Sequence, residues 1–170
     1  MSRPTAREVI TALDLKPNQT CGYVRVTYIS DHVLDDALPA PLGGSRPLGS
    51  ALYFLVAPEA PVRLHRISND QLYHYYSGDP LELLMLHADG SSEQHVVGPN
   101  ILGGQVVQLL IPGGTFHTAR VRGSWFLGGS TEWPGVVPAD VELGDADALA
   151  TRHPDVAELI HTYPRPAASM

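Results

Sequence analysis

Apolar and polar residues alternate with a period of two along most of this chain, in short runs separated by glycine- and proline-rich breaks. Side chains two apart on a strand share a face, so the pattern predicts many short strands joined by tight turns. Residues 22–29 (GYVRVTYI) put Tyr23, Arg25, Thr27 and Ile29 on one face and Val24, Val26 and Tyr28 on the other. Residues 50–57 (SALYFLVA) are nearly all apolar, as in a strand buried on both faces. After a turn at 58–61, residues 63–78 (RLHRISNDQLYHYYSG) read as two strands around Ser68-Asn69-Asp70. Further strands are predicted at 81–87, 92–98, 105–111, 115–121 and 124–130, with Asp89-Gly90 a strong hairpin signal. Helical spacing occurs only near the ends. Residues 5–13 carry Thr5 and Glu8 at capping-box spacing and Val9, Ile10 and Leu13 on one face. Residues 146–149 suit a turn or two of helix, and 154–162 a helix with Pro154 at its first position. Residues 31–48 have no period and read as a long surface loop, either functional or mobile. Residues 134–138 break the pattern, and the tail beyond Pro164 is expected to be disordered. Roughly eight or nine short strands with helices only at the ends predict an all-β sandwich or barrel of jelly-roll type. We expect one domain over 1–170, with a core at about 20–145, a helical segment at 146–163 and a tail at 164–170.

Composition narrows the partners. The 170 residues are 44% hydrophobic, as in globular proteins, and carry a formal charge of −7. Lys16 is the single lysine. Phosphate contacts need clustered Lys and Arg, so neither nucleic acid nor an anionic membrane surface is expected as a partner. The 16 glycines and 15 prolines are scattered as turn punctuation rather than as low complexity. No apolar run of signal-peptide or membrane-span length occurs, and the single cysteine, Cys21, has no internal partner. These features lead us to expect a cytoplasmic protein.

The candidate chemistry gathers in 63–78. Strand phase puts Arg63, His65 and Ile67 on one face of the first run, and Gln71, Tyr73 and Tyr75 on one face of the second. Turned inward, these faces would line a polar, aromatic cavity. His117 follows the tight turn Pro112-Gly113-Gly114, and a jelly roll can bring it beside His65. Such a pair can ligate a metal, hydrogen-bond a ligand or move a proton. Tyr73 and Tyr75 serve as cavity wall or proton donors. Arg25, Arg63 and Arg120 are candidates for holding an anionic group. His74 is out of phase with Gln71, Tyr73 and Tyr75, which points to a structural or interface role. Asp70 suits an Asx-type turn bond, and Cys21 a small buried side chain rather than a nucleophile.

Several local motifs carry a resemblance to a known family. They are Gly22-Tyr23-x-Arg25, Tyr53-Phe54-Leu55, His65-Arg66 and Asp70-x-x-Tyr73-His74-x-Tyr76-x-Gly78-Asp79-Pro80-Leu81, then Pro112-x-Gly114, Gly123-Ser124-Trp125 and Pro134-Gly135. From about residue 13 to 163 the chain resembles the cupin superfamily, and most of all its small stand-alone cupin-5 branch, a former domain of unknown function. The resemblance implies a double-stranded β-helix and, together with open sheet edges, a homodimer. It covers isomerases, epimerases, dioxygenases, decarboxylases, lyases and plain binding proteins. The family's first metal motif has two histidines and a glutamate, which fall on His65, Ile67 and Gln71; the histidine of its second motif falls on His117. A divalent transition metal would thus have His65, Gln71 and His117 as an incomplete ligand set. The branch usually has Gln at position 117, and it opens with a His-Pro-Glu-Gly-Gly string that here reads Asn18-Gln19-Thr20-Cys21-Gly22.

The expectation is a cupin enzyme acting on a small anionic or carbonyl-containing metabolite by acid/base chemistry, of isomerase, epimerase, cyclase or lyase type. His65, Tyr73 and His117 would be catalytic, and Arg25, Arg63, Gln71, Tyr75 and Tyr53 would bind substrate. A metal-dependent cupin enzyme and a non-catalytic ligand-binding cupin are the alternatives.

Overall fold

The computed structural model describes residues 3–35 and 38–163. The tail expected beyond residue 163 lies outside the described residues. The chain opens with α1 (Ala6–Ala12), β1 (Lys16–Pro17), β2 (Tyr23–Ile29), β3 (Val33–Leu34), β4 (Arg46–Pro47), β5 (Ser50–Val56) and β6 (Val62–Arg66). It continues with β7 (Asp70–Gly78), β8 (Leu81–Leu86), β9 (Ser92–Val97), β10 (Gln108–Ile111), β11 (Phe116–Val121) and β12 (Phe126–Trp133). β13 (Glu142–Leu143), α2 (Ala146–Arg152) and α3 (Ala157–Thr162) close it. The strands form a six-stranded sheet in the order β1-β2-β5-β12-β7-β10 and a five-stranded sheet in the order β13-β6-β11-β8-β9. Every pairing in the two sheets is antiparallel. This is the all-β jelly roll that the alternation predicts.

The nearly continuous apolar runs arise because both faces of each sheet have something to bury against. In β5, Phe54 and Val56 face the core between the sheets, whereas Leu55 packs with Ala57, Trp125 and Val9 of α1. In β8, Leu81, Leu83 and Met85 face inward, and Leu84 and Leu86 pack outward on Leu149, Ala150 and Ile160 of the C-terminal helices. α1 starts as its sequence dictates: Thr5 and Glu8 cap each other reciprocally. Two short strands and one ion pair anchor parts of the 31–48 segment read as a loop. β3 and β4 pair within it, and the Arg46 guanidinium bonds both carboxylate oxygens of Asp140, at 3.0 and 3.3 Å, with both side chains buried. Among the described residues no helix is long and apolar enough to cross a membrane.

Three bulges change which side chains share a face. On β6 the register moves from His65 opposite His117 to Val62 opposite Ala119, three residues against two. On β2 it moves from Val26 opposite Leu52 to Tyr28 opposite Ala51, leaving Thr27 over. On β7 it moves from Tyr75 opposite Gly128 to Ser77 opposite Leu127, leaving Tyr76 over. Each inserted residue flips the alternation beyond it.

Candidate functional site

Between the sheets lies a cavity of about 360 Å³. β2, β5, β6, β7, β12 and the segment 136–141 wall it. Most of the wall is apolar, including Val24, Val26, Leu52, Phe54, Ile67 and Val136. Besides Asn18, Thr20, Ser50 and Ser130, five side chains able to carry chemistry line the cavity. Four come from strands: His65 on β6, Gln71 and Tyr73 on β7, and Glu132 on β12. Cys21 joins them from the loop before β2.

Cys21 is placed by local chemistry. The Asn18 carboxamide accepts the backbone N–H groups of Thr20 and Cys21 at 2.9 and 3.1 Å, and Gly22 turns the chain at φ +58°. A Cβ at Gly22 would stand 2.3 Å from the Leu55 carbonyl oxygen, so only glycine closes this turn. The Cys21 Sγ comes to rest 3.9 Å from His65 Nε2 and 3.8 Å from the Tyr73 hydroxyl. His65 meets the Arg63 carbonyl oxygen at 2.7 Å through Nδ1, which fixes the ring and leaves Nε2 facing the thiol. The His65 and His117 rings stand side by side, centroids 4.3 Å apart and tilted by 53°. His117 is fully enclosed (0% exposed) and its Nε2 hydrogen-bonds the Tyr73 hydroxyl at 3.1 Å. Thus His117 stands behind Tyr73 rather than in the cavity wall.

The two histidines titrate in opposite directions. Burial, reinforced by the neighbouring His65, holds His117 well below the ordinary imidazole value of 6.5, so it is neutral. Burial lowers His65 too, but the facing Cys21 and the Arg63 carbonyl outweigh it and raise the ring above 6.5. Burial raises the Cys21 thiol, and His65 with bonds from Thr20 and Tyr73 brings it below 9.0. The Tyr73 phenol is pushed well above 10.0, mainly by burial, and keeps its proton. Glu132 is raised above 4.5 by burial, although Ser130 and Ser50 donate to its two oxygens at 2.5 and 2.7 Å.

Of the residues read from sequence, the fold brings His65, Gln71, Tyr73 and His117 together. The others lie elsewhere. The β6 bulge turns Arg63 into a separate cleft beside Leu143–Asp147, so it does not share the inner face with His65. Arg25 points outward and donates to the Leu13 carbonyl at 3.1 Å, because the inward positions of β2 are Val24 and Val26. Tyr53 sits on the outer face under α1, edge-on to Tyr76. Tyr75 packs on Phe126 and donates to the Gly78 carbonyl, outside the cavity wall. Arg120 pairs with Glu82. Asp70 accepts from the Gly113 N–H across the sheet at 2.7 Å instead of closing its own turn. His74 faces out, bonded to Thr131 and Gln108, as its phase indicates. Glu132 escaped the sequence reading because the last strand was ended at residue 130; carrying the alternation from Phe126 through Gly128 and Ser130 reaches it.

The donor set does not match a cupin metal cage. Among the described residues no group of three His, Cys, Asp or Glu side chains stands close enough to hold one ion. Both ring nitrogens of His65 and Nε2 of His117 already face partners, Gln71 is a neutral amide, and both Glu132 oxygens are engaged by serines.

Two antiparallel sheets rolled around a cavity, with polar side chains on their inner faces, define a jelly-roll barrel. A family model described as "Cupin superfamily (DUF985)" matches residues 7–144, and the chain belongs to that family. A "Hypothetical protein from Leishmania major" superposes with a TM-score of 0.85 at 25% identity, over 96% of this chain and 100% of that one. A protein of Shewanella oneidensis gives 0.84 at 24% identity, over 97% and 100%. Oxalate decarboxylase from Bacillus subtilis gives 0.54 at 13% identity, over 89% of this chain and 37% of that chain, a likeness of fold alone. No curated protein sequence matches the chain.

Proposed function

We propose that the cavity takes a small, mainly apolar carbonyl compound and moves a proton on it, as in isomerases and lyases. The observation that carries this is the set of His65, Gln71, Tyr73 and Glu132 lining one mainly apolar cavity, with His117 bonded behind Tyr73. No Arg or Lys lines the cavity among the described residues, so the anionic substrate expected from Arg25 and Arg63 gives way to an uncharged or carbonyl-bearing one. His65, raised toward neutrality, is the group able to take and return a proton. Tyr73 remains protonated and, backed by His117, donates to the developing oxygen, while the Gln71 amide orients the ligand. Cys21, a free cysteine outside any disulfide, suits a reducing compartment such as the cytoplasm. We further propose a homodimer formed through the free edge of β2.

The test is solvent exchange. A panel of small ketones and enones is incubated with the protein in D2O, and deuterium uptake beside the carbonyl is followed by NMR. Exchange that falls at least about tenfold in both His65→Gln and Tyr73→Phe supports the reading. Exchange equal to the buffer rate across the panel, or rates untouched by both substitutions, overturns it.

A further inference from the structure

We propose that Cys21 is a nucleophile, with His65 as its base, that bonds covalently to an α,β-unsaturated carbonyl ligand in the cavity. This rests on the cavity being a ligand site, and it adds a covalent step that proton transfer alone does not need. The arrangement has the three parts of an activated nucleophile: a thiol, an imidazole facing it, and a third group orienting the imidazole. Here the Sγ stands 3.9 Å from His65 Nε2, and the Arg63 carbonyl holds the other ring nitrogen at 2.7 Å. The β6 bulge brings that carbonyl to its place, because the extra residue lets both Val62 and His65 point inward while Arg63 turns away. Cys21 lines the cavity, so a ligand bound there lies against its side chain. The titratable groups facing it are His65 on β6 and Tyr73 on β7; Glu132 on β12 lines the same cavity, and His117 on β11 stands behind Tyr73.

A second observation points independently to a ligand. Gln71 is nine-tenths buried (4% exposed), lines the cavity, and its carboxamide bonds to no protein group among the described residues. Its amide opens on the cavity and is free to bond a ligand there. A carbonyl oxygen is the complement of its N–H2 group. An enone or enal therefore satisfies both ends of the site: its oxygen accepts from Gln71 or Tyr73 and its β-carbon meets Cys21.

The step balances without any further reagent. The thiol proton passes to His65 Nε2. The sulfur forms a bond to the β-carbon, and the C=C π pair moves onto the carbonyl as an enolate. The proton then returns from His65 to the α-carbon. Reversal expels the thiolate and restores the double bond, after rotation about what was briefly a single bond.

Because Cys21 is the only cysteine, mass measurement of the intact folded chain gives an unambiguous readout. The probe is N-ethylmaleimide, itself an α,β-unsaturated carbonyl, followed over pH 5 to 10 for the unsubstituted protein, His65→Gln and Arg63→Ala. We expect one label per chain, with the half-maximal rate reached below the ordinary thiol value of about 8.5. In His65→Gln the midpoint should rise by about one pH unit or more and the rate at pH 7 fall about tenfold, since one unit is a tenfold change in thiolate fraction. Arg63→Ala keeps the backbone carbonyl and should leave the profile in place. The proposal is overturned by an ordinary thiol profile indifferent to His65→Gln, or by labelling only after denaturant is added. In the unsubstituted protein alone, a midpoint at the ordinary thiol value or labelling only after denaturant already overturns the proposal, so a variant that fails to fold does not shield it. Deuterium exchange and labelling report on different atoms, so either reading can fail while the other stands.

Discussion

At the residue scale, the first positive charge on the paired imidazoles goes to His65. Its neighbour His117 is kept neutral by burial first and by His65 second. A base whose folded-state pKa is depressed contributes stability above its unfolded value, about 6.5, and that stability is lost as pH falls through the folded value. His65, whose folded value is raised, has the opposite slope, centred between about 6.5 and its folded value above it. Glu132, raised by burial, also has that opposite slope over acidic pH but is the same in any His117 variant. His117→Gln should therefore lose less thermal stability between pH 7 and pH 5 than the unsubstituted chain. Melting temperatures at the two pH values check this, and equal losses would show that His117 does not resist protonation. The histidines, Gln71 and Tyr73 were legible as site residues because their types and spacing stand out in an apolar pattern. Cys21 was legible only as small and buried: nothing in the local sequence says that an imidazole from residue 65 will face it.

At the element scale, strand existence was readable and strand phase was not. The runs at 22–29, 50–57, 63–78 and 81–87 all became strands, because alternation reflects burial against the two layers. The bulges at Thr27, in 63–64 and at Tyr76 are set by pairing with distant strands, and the local pattern does not reveal them. They are why Arg63 leaves the cavity and Ile29 enters it. The unpatterned 31–48 segment misled in another way, since its anchor is one arginine whose partner lies at Asp140. Asp140 also accepts from the Val137 N–H at 2.8 Å, so the ion pair ties 31–48 to the 136–141 wall of the cavity. Removing one partner leaves a buried charge uncompensated, at a cost of about 3–5 kcal/mol. Arg46→Ala should show that loss in denaturant unfolding, and the Arg46→Met, Asp140→Leu pair should recover much of it. A loss under about 1 kcal/mol in Arg46→Ala would mean the pair is solvated in practice.

At the scale of the whole molecule, the two ends of the chain cover the two outer faces, α1 on one sheet and the C-terminal helices on the other. Among the described residues, the edge of β2 is one of the sheet edges they leave open. β1 pairs only with Tyr23 and Val24, and the rest of β2 exposes Val26, Tyr28 and Ile29. A free apolar edge is a pairing site, and a second copy offers a matching edge by symmetry. Light scattering should give twice the chain mass, and Val26→Lys with Tyr28→Lys should halve it; a monomer before substitution would refute the dimer. One placement within the larger sheet also bears on how the chain reaches this state. β12, made from residues 126–133, lies between β5 and β7 and joins them. Until that late strand leaves the ribosome, the growing chain carries two separate half-sheets, β2-β5 and β7-β10, each with a raw inner margin. Closure of the barrel thus waits on residues 126–133. The nascent chain is most exposed to aggregation just before that point.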